Sequence, residues 1–114
     1  MKLEKLIPLR CKVTVYVPGT VDVDKQIDNS AQVERVAAML STCFGGATAS
    51  PVRGYYVADD GRLVAERTTM VFAFCTTEDA DRHMDAVVEL CAALREEMRQ
   101  ECIALEYNGG MYFI

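Results

Sequence analysis

The 114-residue chain has no tryptophan, a single histidine (His83) and three prolines, and its basic residues are outnumbered. Each shortage excludes something. With 12 Lys and Arg against 17 Asp and Glu, and a formal net charge of −5, it lacks the clustered cations that neutralise phosphates, so direct nucleic-acid binding is not expected. No apolar run approaches the length of a membrane-spanning helix. Between Met1 and Arg10 the apolar residues are interrupted by Glu4, Lys5 and Pro8, which does not suit a signal peptide. The chain reads as cytoplasmic. Its five cysteines, Cys11, Cys43, Cys75, Cys91 and Cys102, include no CxxC pair and have only one histidine to join them. A zinc site is not expected, nor any other metal or cofactor, and the thiols read as small core residues in a reducing compartment. Internal repeats and low-complexity segments are absent too.

What is present is ordinary for a globular protein: 51% apolar residues and 25% charged. The length suits one domain, residues 1–114. Cys11, Val13, Val15 and Val17 alternate with polar neighbours and predict a half-buried strand, ended by Pro18-Gly19. A loop carries Asp22, Asp24 and Asp28. Asn29 and Gln32 have the spacing of a capping box. Val33, Val36, Ala37, Leu40, Cys43 and Phe44 then recur at helical spacing until Gly45-Gly46.

Val52 to Ala58 and Leu63 to Cys75 predict two strands joined through Asp59-Asp60-Gly61, residues that tolerate positive φ. From Met70 the second is apolar on both faces, as a central strand is. Thr76 to Asp79 opens a second helix with a cap and early acids, and Ala80, Met84, Val87, Cys91, Leu94 and Met98 form its core stripe. Ile103, Leu105 and Tyr107 make a last strand, and Asn108-Gly109 turns Met111 to Ile114 back on it. The order is βαββαβ plus a C-terminal hairpin: a ferredoxin-like α+β sandwich, two helices on one face of an antiparallel sheet. The other face is free to be used, and Tyr16, Tyr55 or Tyr56, Tyr107 and Tyr112 are its candidate occupants.

Phe44, Gly46 and Thr48 at the first helix end, Gly54 and Tyr56 in the next strand, Gly61 in the turn, Glu66 and Thr68 in the return strand, and Gln100-Glu101 after the second helix form a pattern. It resembles a family of small bacterial ferredoxin-like α/β proteins of unassigned function. The resemblance covers about half the chain and implies a fold but no activity. In size and acidity the chain is also similar to small mobile-element proteins, some of them anti-CRISPR inhibitors.

Three groups are candidates for chemistry. Glu78, Asp81, Asp85, Glu89 and Glu96 fall within about 80° of arc on the second helix, and Asp85 and Glu89 are roughly 6 Å apart along its axis, near the spacing of phosphates. With Asp22, Asp24 and Asp28 they are the candidate partner-binding acids; the ordinary account is a solvated helix face. Cys75 precedes a helix N-terminus, where a thiolate is favoured, with His83 as a possible base; the ordinary account is a buried inert thiol. Arg53, Tyr56, Glu66 and Cys75 make an alternative sheet-face site, joined near one sheet end by Glu101. There Arg53 and Glu66 are expected opposite each other as a cross-strand ion pair, and a pair of carboxylates would need a raised pKa to do acid–base work.

The expectation is a non-catalytic interaction protein, an inhibitor that fills the basic groove of a nucleic-acid-processing enzyme. The competing expectation is a dimeric small-ligand binder or enzyme that uses the open sheet face.

Overall fold

The computed structural model describes residues 2–22 and 24–114. After a short 3-10 turn at Leu3–Lys5, the elements are β1 (Cys11–Pro18), β2 (Thr20–Val21), β3 (Lys25–Gln26), α1 (Ser30–Phe44), β4 (Thr48–Val57), β5 (Leu63–Cys75), α2 (Thr77–Glu97), β6 (Ala104–Tyr107) and β7 (Gly110–Phe113). The five-stranded antiparallel sheet runs in the order β4-β5-β1-β6-β7. With β7 set aside this is the ferredoxin-like order expected from the sequence, and β7 extends the sheet through the Asn108-Gly109 turn, whose φ values are +49° and +85°.

Alternation in β1 decides which face is buried. Val13, Val15 and Val17 are fully buried, and across from them on β5 lie Ala73, Val71 and Thr69. Against them pack Val36 and Leu40 of α1 and Val87, Cys91 and Leu94 of α2 in one continuous core. Among the described residues no helix is long and apolar enough to cross a membrane.

Helix ends follow local chemistry, with one exception. Thr76 Oγ1 accepts the Asp79 amide at 3.1 Å and caps α2. Gly45 ends α1 with φ +91°, a left-handed conformation that costs glycine little. The capping box expected from Asn29 and Gln32 does not form. Instead Asn29 Nδ2 donates to the carbonyl oxygens of Val17 and Pro18 and to Thr69 Oγ1, stitching the start of α1 to the sheet. Asp28 takes over at the helix start and accepts both the amide and the hydroxyl of Ser30.

Three further features differ from the expectation. The loop after β1 contains a small hairpin, β2 with β3. Strand β4 starts at Thr48 and runs through Pro51, which a strand interior would not tolerate. Here β4 is the sheet edge, where a missing N–H costs no ladder bond. The third is register. Arg53 faces Arg67 and Gly54 faces Glu66, so Arg53 and Glu66 point to opposite sides of the sheet and form no ion pair. A slip of one residue moves every side chain to the other face, and the turn, which spans Ala58 to Arg62, is what sets it.

Asp22 and Arg99 join the β2–β3 hairpin to the end of α2. The Arg99 guanidinium binds both Asp22 oxygens, with Nη2 at 2.7 Å from Oδ2, and the Asp22 amide donates to Met98 O at 3.1 Å. The arginine holds the Asp22 carboxyl below its ordinary value, so its contribution is present above the unfolded-state pKa and is lost as pH falls through the folded one. Asp22→Asn is therefore expected to be less stable than the parent at pH 7. Urea midpoints at falling pH should show the gap closing below about pH 4. A gap that persists unchanged at pH 2 would mean the charge is not its source.

Candidate active site

The β4–β5 hairpin overhangs the sheet. Pro18 pairs with Thr68 as the last β1–β5 contact, while β4 and β5 remain paired out to Val57 and Leu63. On the sheet face turned away from the helices, this arm carries Gly54 and Tyr56 beside Val64 and Glu66. The segment between α2 and β6 comes up against it. Gln100 Nε2 anchors that segment by donating to Thr20 O at 3.0 Å and to Met98 O at 3.2 Å. At its other end Ile103 is fully buried and exchanges backbone bonds with Ile114. Between these two anchors Glu101 and Cys102 are exposed.

The result is a cleft of about 550 Å³ lined by Tyr56, Val57, Ala58, Asp59, Glu66, Gln100, Glu101 and Cys102. Three of these residues are carboxylates, one is a phenol, and none is Lys or Arg. Glu66 is half-buried and Tyr56 is 46% exposed. Acids without counter-ions beside an aromatic ring favour a small organic cation, which gains from both the charge and the ring face.

A second cleft, of about 880 Å³, opens on the helix side of the same hairpin. Arg53 and Arg67 line it with Asp28, Asn29, Thr68 and Thr69. The sequence-derived sheet-face site is thus divided. Tyr56, Glu66 and Glu101 come together, and Arg53 lies in the other cleft.

Cys75 is at the far end of β5. It is 1% exposed, and burial pushes its thiol up to about 11, so it is no thiolate despite its place before α2. His83 packs edge-on against Phe44 at 6.0 Å between ring centres. Of the tyrosines, Tyr16 and Tyr56 occupy the open face, whereas Tyr55, Tyr107 and Tyr112 alternate to the helix side. Tyr16 donates to Glu106 Oε1 at 2.9 Å.

Three of the eight acids assigned to partner binding are accounted for by the fold. Asp22 is bound by Arg99 and Asp28 caps α1. Glu96 pairs with Arg95 at 3.0 Å. Glu78, Asp81, Asp85 and Glu89 lie exposed along α2, as Asp24 does on its loop.

No sequence-family profile matches this chain, and no curated protein matches it in sequence. Solved structures do match. The chain is similar to a phage SAM lyase in complex with S-methyl-5'-thioadenosine, with a TM-score of 0.66 at 21% identity over 100% of this chain and 95% of that one. It is similar to a phage SAM lyase in the apo state, with a TM-score of 0.62 at 22% identity over 91% and 87%. CutA from Synechococcus elongatus follows with a TM-score of 0.53 at 11% identity over 93% and 81%.

At these identities the likeness shows the fold, an α+β sandwich of the ferredoxin-like kind. It also corrects the sequence-based reading. The expectation of a non-catalytic, anti-CRISPR-type inhibitor rested on size, acidity and the acidic stripe of α2, and two of the structures that share this architecture over nine-tenths or more of the chain are those of a lyase, an enzyme.

Proposed function

We propose that this chain is an enzyme of small-molecule chemistry, a lyase acting on S-adenosylmethionine, with the Tyr56, Glu66 and Glu101 cleft as its active site. The observation that carries this reading is the cation-free acidic cleft, formed by segments 35 residues apart in sequence (Glu66 and Glu101). It occurs on a fold shared end to end with a lyase of that name.

The chemistry fits the residues. S-adenosylmethionine carries a permanent positive charge on sulfur and a second on its ammonium group. As the substrate's own carboxylate oxygen bonds to the side-chain carbon attached to sulfur, the carbon–sulfur bond breaks, its electron pair goes to sulfur, and the products are neutral S-methyl-5'-thioadenosine and an amino lactone that keeps the ammonium charge. The sulfur charge vanishes as the bond breaks, but the ammonium charge persists throughout. Glu66 and Glu101 are therefore assigned to holding the ammonium group and orienting the chain to be released. Tyr56 is assigned to the sulfonium, its ring face offering cation–π attraction.

The test is direct. The purified chain is incubated with S-adenosylmethionine and the mixture is resolved by liquid chromatography with mass detection. Enzyme-dependent appearance of S-methyl-5'-thioadenosine is the expected result. A substrate that stays intact at high enzyme concentration, over hours and above its own slow decay, would overturn the proposal.

A further inference from the structure

At the other end of the sheet from the acidic cleft, Cys11 opens β1 and Cys75 closes β5, and the two are direct partners in the antiparallel pair. From Glu66 to Cys75 along β5 is about 30 Å at the usual rise per residue. Both thiols are buried, at 4% and 1% exposure, and both lie on the helix side of the sheet. Facing Cα atoms in such a pair are about 4.5–5.5 Å apart, within the range a disulfide spans.

Cys11 is not surrounded as a core thiol is. Asn108 Nδ2 donates to its sulfur at 3.4 Å, Tyr107 Oη donates at 3.8 Å, and the Thr77 hydroxyl is 3.6 Å away. The amide is held in that orientation, because Asn108 Oδ1 accepts the Lys12 amide at 3.0 Å and the Asn108 amide donates to Lys12 O at 3.2 Å. The left-handed turn at Asn108-Gly109 places it there. Thr77 is the first residue of α2, so the sulfur also sits against the positive end of that helix.

Several polar groups converging on one buried sulfur favour its anion. Correspondingly, the Asn108 hydrogen bond first and the Thr77 contact second hold the Cys11 thiol below its ordinary value. Burial pushes Cys43, Cys75 and Cys91 the other way. For Cys75 the charge on Cys11 adds to burial.

We propose that Cys11 and Cys75 form an oxidant-responsive dithiol, in which Cys11 attacks a small peroxide and Cys75 resolves the product into a cross-strand disulfide. In the first step the Cys11 thiolate attacks one peroxide oxygen, the O–O bond breaks, and the sulfur becomes a sulfenic acid as hydroxide leaves. In the second the Cys75 sulfur attacks the Cys11 sulfur. The S–S bond forms, the S–O bond breaks, and hydroxide departs with the Cys75 proton as water. Both thiols are oxidised and one peroxide is reduced to two waters. Burial restricts the oxidant to something as small as hydrogen peroxide.

The experiment treats the full chain with hydrogen peroxide and maps peptides without reduction. The expected product has lost two hydrogens and yields a Cys11–Cys75 linked peptide. In Cys75→Ser the sulfenic acid has no resolving thiol and is trapped on Cys11 by dimedone. Asn108→Ala removes the amide that donates to the Cys11 sulfur and should slow Cys11 labelling several-fold. Far-UV circular dichroism and a urea midpoint on each variant separate this effect from misfolding. Modification confined to exposed Cys102, with no Cys11–Cys75 peptide at any peroxide level, would overturn the proposal, as would an Asn108→Ala variant that folds and labels at the parent rate. Turnover of S-adenosylmethionine is read separately, so the failure of one proposal leaves the other standing.

Discussion

Glu66→Gln is expected to lower kcat/KM for release of S-methyl-5'-thioadenosine by about 100-fold, the scale of loss for removing one close partner of a bound charge. The substitution keeps the shape of the side chain and removes only its charge. Two unit charges about 4 Å apart near a protein surface interact by about 4 kcal/mol at an effective dielectric constant of 20. Because Glu101 and Asp59 remain in the same cleft, the expected loss is smaller than that ceiling. The effect should fall mainly on KM and little on kcat, since the ammonium charge is present in both the bound substrate and the transition state. Circular dichroism should be unchanged, because Glu66 faces the open side of the sheet and takes no part in the core. Turnover at the parent rate would show that the acidic cleft is not the active site.

Gly19→Ala is expected to have the largest structural effect of any exchange outside the core, about 1–3 kcal/mol. A Cβ at position 19 would lie 2.8 Å from the Arg67 carbonyl oxygen and 3.1 Å from the Arg67 Cβ. The first of these is backbone and cannot swing away. Gly19 is also pinned, since its amide donates to Arg67 O at 2.9 Å and its carbonyl accepts the Ile27 amide at 3.0 Å. Relief requires moving β5 at the residue next to Glu66. The variant should therefore lose activity as well as stability, as read by a urea midpoint and by turnover. Gly46→Ala is the control: nothing lies within 4 Å of its added Cβ, and its change should be small. Equal midpoints for the two variants would count against a tight Gly19–Arg67 contact.

The two clefts differ in how much of each was legible in the sequence. Tyr56 and Glu66 were legible as neighbours because a hairpin brings nearby residues together, and Glu101 was legible as a candidate near them. Arg53 was placed with them only because its partner was miscounted by one. Turn length sets register, and the Ala58–Arg62 turn contains Asp59, Asp60 and Gly61, which fit more than one geometry. No local signal indicated Gly19. Its importance lies in a contact with Arg67, and glycine after proline reads simply as the end of a strand.

For the thiols, too, local position and tertiary surroundings differ. Position before a helix N-terminus directed attention to Cys75, yet burial keeps that thiol protonated. Cys11 has the donors, two of them from residues 96 and 97 positions away that meet it only because β6 pairs with β1.

Features that depend on neighbours a few residues apart could be read from the order of residues alone. The valine alternation of β1, the apolar stripes of α1 and α2, the Thr76 cap, the Gly45 stop and the Asn108-Gly109 turn are all local, and together they dictate the βαββαβ order and its C-terminal hairpin. The strand register, the division of Glu66 and Arg53 between two faces, the convergence of Glu101 on the hairpin, and the choice of Cys11 over Cys75 came from the packed fold. Each of these depends on contacts between distant segments. Their free energy comes from burying the shared core, and that says which faces meet before any single residue says which neighbour it will have.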